Sequence, residues 1–299
     1  MIRIALFLGT NIAILLVLGI TMSIFGVEGI LDEQGVNLDL YSLLFISSII
    51  GFTGSIISLM ISKWVAKKTM GVVLIEQPKN ATEEWLLITL EGISEKAGIK
   101  VPELGIFNDK QLNAFATGAS KNNSLVALSS GLVNHMGKDE IEAVIAHEVS
   151  HISNGDMVTM SLIQGIINTF VIFFSRIIGH VVDRVIFKVQ RGHGPAYYIT
   201  SIIAQILLSI LANIIVMWFS RKREYAADSS AAELVGSSKM ISALKTLSLK
   251  SRVDLPDQMA AFGISGKEER SFRSLFSSHP SIESRIDSLL KNSVLEYPV

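Results

Sequence analysis

Residues 147–151 read His147-Glu148-Val149-Ser150-His151, and this short stretch does most to decide what the chain can be. Two histidines four positions apart lie on the same face of a helix, one turn above the other. This spacing lets two imidazole nitrogens meet one metal ion at ~2.0–2.1 Å. Glu148 then lies beside the metal, where it can take a proton from an activated water. The alternative is an ordinary helix that carries two surface histidines.

The composition indicates a membrane protein. Of the 299 residues, 49% are hydrophobic, and the mean hydropathy is +0.46, a value that soluble domains rarely reach. The net charge of −1 gives no reason to expect nucleic acid as a partner. The chain has no cysteine, so disulfides and thiolate metal sites are excluded. Any zinc ion must therefore be held by nitrogen and oxygen atoms.

Four stretches without acidic or basic side chains are long enough to cross a bilayer, which needs ~20 apolar residues. They are Ile4–Val27, Leu40–Ser62, Met157–Ser175 and Gly192–Ser220, the last of which begins with a few residues typical of a loop. The first stretch could instead be a cleaved signal peptide. Its length and the lack of an Ala-x-Ala-like exit favour a membrane anchor.

The flanking charges predict the orientation of these spans. Basic residues, which stay in the cytoplasm, follow the second and fourth spans at Lys63, Lys67, Lys68, Arg221, Lys222 and Arg223. The connector between the third and fourth spans is also basic, against this rule. Either both segments cross and the basic loop lies outside, which we favour, or the two helices are only partly inserted.

We therefore expect three parts. Residues 1–68 form an N-terminal transmembrane hairpin with spans at about 4–27 and 40–62. Residues 69–156 and 221–299 form one cytoplasmic domain. Residues 157–220 form an inserted transmembrane hairpin with spans at about 157–178 and 196–220.

The polar regions mix helices and short strands. Helical spacing covers Glu83–Ala97, with Gly98 as a C-terminal cap, and Leu104–Phe107 is typical of a strand. Two further apolar runs, Ala114–Ala116 and Leu125–Leu128, flank a segment rich in turn residues and predict a hairpin.

The hairpin precedes the helix of the two histidines, for which Asp139 offers an N-cap and Gly155 an end. A hairpin beside that helix could bind an extended peptide as an additional strand, through Asn113, Ala114, Phe115 and Ala116. It could equally be an ordinary structural hairpin.

A catalytic zinc usually has three protein ligands and one open position. The pattern with a third histidine six residues after the second is excluded, because that position is Met157. The best candidate is Glu224, directly after the fourth apolar stretch. Asp228 lies on the same helical face and can hold the far nitrogen of a metal-bound histidine. The alternative is that both carboxylates merely decorate a helix.

The chain resembles bacterial membrane metalloproteases of peptidase family M48. The resemblance rests on segments in the same order along the chain: Arg3-Ile4-Ala5-Leu6-Phe7-Leu8, Ser62-Lys63-Trp64, Asn113-Ala114-Phe115-Ala116-Thr117-Gly118, Ala143-Val144-Ile145-Ala146, Asn154-Gly155-Asp156-Met157-Val158-Thr159-Met160, Trp218-Phe219-Ser220-Arg221, Arg223-Glu224, His279-Pro280 and Arg285-Ile286.

This resemblance implies a mainly α membrane protein with four transmembrane helices and an α+β zincin-type metalloprotease domain bearing a small β-sheet. It implies a zinc-dependent endopeptidase of the bacterial inner membrane, with its active site facing the cytoplasm, that hydrolyses misfolded or damaged membrane proteins in quality control and stress responses. It supports His147, His151 and Glu224 as ligands of one Zn²⁺ per chain, and Glu148 as the catalytic residue. His279 is a candidate oxyanion donor; the alternative is a surface histidine that caps a helix.

Other functions stay open at this point. A structural zinc site would need a fourth protein ligand, a metal transporter would place ionisable residues inside its spans, and a prenyl-protein protease would share the same motif. Ser251–Arg270, with weak periodicity, is either a cover over the site or a surface loop, which we favour. The patterns leave the oligomeric state open.

Overall fold

The computed structural model describes residues 38–253 and 277–296, together with Ile20 and Ile24. The predicted span 4–27, apart from those two residues, and most of Ser251–Arg270 lie outside the described residues. The described helices are α1 (Leu40–Thr69), α2 (Ala81–Lys96), α3 (Ser130–His135), α4 (Lys138–Asn154), α5 (Asp156–Val181), α6 (Pro195–Val235), α7 (Ser237–Val253) and α8 (Ile282–Glu296), with a π-helical turn at Val182–Ile186. The strands are β1 (Val73–Leu74), β2 (Glu103–Phe107), β3 (Ala114–Ser120) and β4 (Asn123–Ser129).

Three helices in the described part are long and apolar enough to cross a membrane. They are Leu40–Thr69, Asp156–Ile186, in which α5 continues into the π-helical turn, and Pro195–Val235. Three of the four predicted spans thus correspond to such helices, and the predicted loop before the last span ends where α6 begins, at Pro195.

The chain divides into two compact units. The first combines residues up to Ile57 with Ser161–Val216, and the second combines Ser58–Met160 with the residues from Met217 onward. In the first unit, small residues let α1 and α5 pack closely. A Cβ atom on Gly51 would lie 2.7 Å from the backbone nitrogen of Thr169, and Ser161 Oγ donates to the carbonyl oxygen of Ser55 at 2.9 Å. Close backbone approach of this kind is typical of helix pairs in lipid.

The second unit contains a four-stranded mixed sheet in the order β1-β2-β4-β3. Strand β4 pairs parallel with β2, with Val126 opposite Leu104, and antiparallel with β3, with Phe115 opposite Ala127. The predicted hairpin is therefore confirmed, although both strands are longer than the sequence indicated. Strand β3 lies at one edge, and no strand among the described residues pairs with its other side.

The two faces of the sheet carry different residues, because side chains alternate along each strand. Leu104, Val126 and Leu128 point into the main hydrophobic core, against which Ala114 and Ala116 of β3 also pack. The same core contains Ile145, Val149 and Ile152 of α4. Helix α4 therefore packs on this face and lies beside the edge strand.

The sequence predicted Asp139 as the N-cap of α4, but the helix already begins at Lys138. Its N-cap is Gly137, whose N–H donates to the Glu140 side chain at 2.9 Å. Asp139 lies within the first turn, so the predicted cap is wrong: the glutamate side chain reaches back to the backbone in its place. The helix ends as predicted at Gly155, which adopts a left-handed φ of 74° and lets the chain turn directly into α5.

Candidate metal centre

Two helices bring three potential ligands to one point. Helix α4 supplies His147 and His151, one turn apart, and α6 supplies Glu224 from 73 positions further along the chain than His151. Each side chain offers one ligand atom, and the three atoms lie within 4.8 Å of one another. The three residues that the sequence singled out are thus brought together.

The spacing of these atoms matches a single small cation. Nε2 of His147 lies 3.1 Å from Nε2 of His151 and 3.5 Å from Oε2 of Glu224. Nε2 of His151 lies 3.3 Å from Oε1 of Glu224. Tetrahedral ligands at ~2.0–2.1 Å from zinc are about 3.3 to 3.4 Å apart, and each of these separations is close to that value. The two histidines approach different oxygens of Glu224, and one atom from each of the three residues can be chosen within 4.8 Å of the others.

One oxygen of Glu224 has no hydrogen-bond partner in the described part of the chain. Glu224 is 0% exposed, and its Oε1 accepts no hydrogen bond from the residues that the structure describes. A buried carboxylate oxygen is costly unless it is hydrogen-bonded or coordinates a metal. The residues present therefore fit a divalent ion.

A carboxylate lies beside the outer nitrogen of each histidine, as an ion-pair contact at His147 and as a hydrogen bond at His151. Nδ1 of His147 lies 3.0 Å from Oδ1 of Asp228, and Nδ1 of His151 is hydrogen-bonded to Oδ2 of Asp156 at 2.6 Å. Such partners fix the tautomer and ring orientation of a metal-binding histidine, so that Nε2 faces the metal.

The same carboxylates shift the acid–base properties of the imidazoles. Burial by itself would lower the pKa of His151, but the hydrogen bond with Asp156 and the nearby carboxylate of Glu224 outweigh it and raise the pKa to about 9. The pKa of His147 is also raised, because Asp228 and Glu224 outweigh the effect of burial. The pocket therefore favours positive charge at the place where the two rings meet.

Arg285 of α8 contacts the carboxylates of both Asp228 and Glu224. Its Nε donates to Oδ2 of Asp228 at 2.7 Å and its Nη2 to Oδ1 at 2.6 Å, a bidentate pair that is buried. Its Nη1 lies 3.5 Å from Oε2 of Glu224. A planar fork of this kind orients a carboxylate more firmly than a lysine can.

Two further predicted residues lie at the same place. Glu148 is in α4 between the two histidines and is 8% exposed. His279, just before α8, donates a hydrogen bond from Nδ1 to Oε2 of Glu224 at 2.8 Å, while its side chain is 61% exposed. A solvent-facing histidine beside a buried cluster can reach a bound substrate.

Asp156 and Arg285 were named only within the segments that carry the resemblance, and neither was predicted to contact His151 or Asp228. Asp156 comes directly after the left-handed Gly155, and this turn brings its carboxylate back to His151. An acidic residue immediately after a helix-ending glycine was the available signal. Arg285 lies 57 positions after Asp228 and has no local signal.

Two imidazoles and a carboxylate on two helices are the features of a metalloprotease, and the three apolar helices among the described residues are long enough for a membrane protein. The comparison with known proteins gives the family: the chain belongs to peptidase family M48, whose pattern matches residues 80–293.

Similar proteins cover nearly the whole chain. Protease HtpX of Thioalkalivibrio sulfidiphilus is 58% identical over 288 residues, which are 96% of this chain and 98% of that protein. Protease HtpX of Pseudoalteromonas atlantica is 56% identical over 293 residues, which are 97% and 100% of the two chains. The crystal structure of S. mikatae Ste24p is similar in fold, with a TM-score of 0.62 at 18% identity over 93% of this chain and 67% of that one.

Proposed function

We propose that this chain is a zinc endopeptidase that binds one Zn²⁺ through His147, His151 and Glu224 and cleaves polypeptides at that ion. The observation that carries the proposal is that one ligand atom from each of the three residues lies within 4.8 Å of the other two. The two Nε2 atoms are 3.1 Å apart, and each lies within 3.5 Å of a carboxylate oxygen of Glu224. Zinc is favoured over harder cations because two of the three donors are imidazoles. Three protein ligands leave one tetrahedral position open for chemistry.

Glu148 is the proposed general base. A zinc ion at this site would act as a Lewis acid, which activates a water molecule and polarises the scissile carbonyl. Glu148 takes the proton of that water and later delivers it to the leaving amine. Its position directly after His147, within the turn of α4 that separates the two histidines, supports this role, and its charge acts on both imidazoles.

We assign His279 as a donor to the negative charge that develops on the carbonyl oxygen. Its exposure and its contact with Glu224 support this role. Arg285 is a positioning residue, because it acts on Asp228 and Glu224 and is itself buried.

We propose that the substrate binds as an extended strand along Asn113–Ala116. Strand β3 is an edge strand, and its outward N–H and C=O groups can pair with an added peptide. The same strand packs against the core that contains α4, so an added strand would run beside the helix of the two histidines.

We further propose that residues 69–156 and 221–299 lie in the cytoplasm, that the chain is a multi-pass protein of the bacterial inner membrane, and that damaged or misfolded membrane proteins are its substrates. The basic residues after the second and fourth predicted spans support this orientation. Degradation of a misfolded membrane protein co-expressed with the active chain, but not with an inactive variant, would test it.

The catalytic proposal is tested with the full chain purified in detergent, with casein as an unfolded substrate. Glu148→Gln should keep one zinc per chain and lose cleavage, because the amide cannot accept the proton. Glu224→Ala should lose both cleavage and zinc. Glu91→Gln, at an exposed position of α2, is the matched control and should behave like the parent chain.

Metal content and cut sites, measured by elemental and peptide mass spectrometry with and without chelator, separate the outcomes. Substantial cleavage by purified Glu148→Gln would refute its role as the base. Full zinc occupancy in Glu224→Ala would show that another residue is the third ligand. Bound zinc without any cleavage by the parent chain would favour a structural site.

A further inference from the structure

A cleft lies between the C-terminal half of α1 and the edge strand β3. Its volume is about 460 Å³, which is within the usual range of small-molecule and side-chain pockets. We call it the α1–β3 cleft. It is lined chiefly by Ile61, Val65, Ala66 and Thr69 of α1 and by Phe115 and Thr117 of β3. All of these residues belong to the second unit.

The lining of the cleft is mainly apolar. The hydroxyl of Ser62 donates to the carbonyl oxygen of Leu59 at 2.7 Å, and that of Thr69 donates to Val65 at 2.9 Å, so both are occupied within α1. No lining residue that the structure describes is acidic or basic. A charged side chain would lose its hydration there without gaining a partner, whereas an apolar one would gain burial.

The wall of the cleft is held in place. Lys63 and Lys67 of α1 form ion pairs with Glu103 of β2 at 2.7 and 2.5 Å, and Lys63 also donates to Oδ1 of Asn123 at 2.8 Å. These contacts fasten α1 to the sheet. The cleft is therefore formed before any substrate binds, and binding does not lose free energy to ordering its wall.

Strand alternation connects the cleft with the proposed substrate strand. Ala114 and Ala116 face the core that contains α4, whereas Phe115 and Thr117 face the cleft. A peptide paired with the free edge of β3 alternates in the same way. Every second side chain of that peptide would be directed to the side of the sheet on which the cleft lies.

We propose that the α1–β3 cleft is a specificity subsite, which receives an apolar side chain of the bound polypeptide and so selects where the chain is cut. The inference rests on the proposed addition of the substrate to β3. It predicts a preference for a large apolar residue at one position near the cut, or at two positions that are two residues apart.

The experiment uses the full chain in detergent and peptides built around one mapped cut site in casein, each with one position changed to Leu, Ala or Asp. In the parent chain, kcat/KM should fall at least about tenfold from Leu to Ala at the selected position, since a single methylene can change it that much. Asp at that position should be worse than Ala. Neighbouring positions should show no such order.

Two variants narrow the cleft. Ala66→Phe fills it from a half-buried position, and Thr69→Trp fills it from an exposed one, where folding is less at risk. In both, the ratio of kcat/KM for Leu over Ala should fall to near one while zinc content stays that of the parent chain. Lys68→Trp, on the same helix but outside the lining, is the matched control and should keep the parent ratio.

The outcomes are distinct. An unchanged Leu preference in Thr69→Trp overturns the subsite, and so does an equal loss of preference in Lys68→Trp. Loss of preference in the cleft variants alone supports it. Absence of cleavage by the parent chain would instead refute the proposed function, and the subsite with it.

Discussion

Removal of Arg285 should weaken both the fold and the metal site, by amounts that follow from its contacts. Its guanidinium is buried and makes a bidentate pair with Asp228 at 2.7 and 2.6 Å. Arg285→Ala leaves Asp228 and Glu224 buried, at 1% and 0% exposed, without their cationic partner. Breaking a buried pair by removing one partner costs about 3 to 5 kcal/mol.

Two measurements follow. At about 2 to 4 °C per kcal/mol for a domain of this size, the melting temperature in detergent should fall by about 6 to 20 °C. Because Arg285 orients the carboxylate that holds His147, zinc affinity measured by competition with a chelator should fall about 10- to 100-fold. Saturating zinc should restore part of the lost stability, since the ion replaces positive charge beside Glu224.

Lys100→Ala, which removes an exposed positive charge from the same unit, should change neither value. A double variant, Arg285→Ala with Asp228→Asn, should be less destabilised than the sum of the single changes by about 0.5 to 3 kcal/mol, because the two side chains interact directly. If Arg285→Ala had the parent melting temperature and zinc affinity, the assigned positioning role would be wrong.

Three further changes test other parts of the structure. Asp156→Asn should lower zinc affinity about 10- to 100-fold in the same chelator competition, because it weakens the hydrogen bond that orients His151, and parent-like affinity would contradict that role. Burial alone would raise the pKa of Glu103, but its two lysine partners outweigh it and lower the pKa below the ordinary 4.5. The stabilisation from these ion pairs is therefore present above that pH and is lost as the pH falls through the folded pKa. The melting temperatures of Glu103→Gln and the parent chain should differ at pH 7 and converge in acid, and a difference that grew in acid would contradict this sign. Gly51→Leu places a side chain against the backbone of Thr169 and should lower stability by about 1 to 3 kcal/mol, measured by thermal unfolding in detergent, whereas an unchanged melting temperature would show that this contact is looser than described.

Local periodicity made the two histidines of the candidate metal centre predictable. His147 and His151 follow from a four-residue spacing that any helix turns into a shared face, and Asp228 follows from Glu224 by the same rule. The apolar stretches were visible for the same kind of reason, because a membrane-spanning helix needs only length and composition. These features depend on residues close in sequence.

Features that depend on distant residues or on a single turn were not predictable. Strand β1 has two residues and is too short to show alternation. Asp156 reaches His151 only because Gly155 reverses the chain locally. Arg285 meets Asp228 through packing of α8 against α6, which no spacing in the sequence records. The α1–β3 cleft likewise exists only once the helix and the sheet have packed.

The charges at the site argue for a divalent ion and for the role of Glu148 together. Four carboxylates, those of Glu148, Asp156, Glu224 and Asp228, lie around two imidazoles that must be neutral to bind a metal, and Arg285 is the positive side chain that the structure places among them. A dication held there would reduce the remaining charge to a single negative one. Transfer of a proton from an activated water to Glu148 leaves that total unchanged, because the resulting hydroxide carries the charge, but it moves the negative charge from the carboxylate to a place beside the dication. A buried region of low dielectric favours opposite charges that lie close together, because any unpaired charge there is costly.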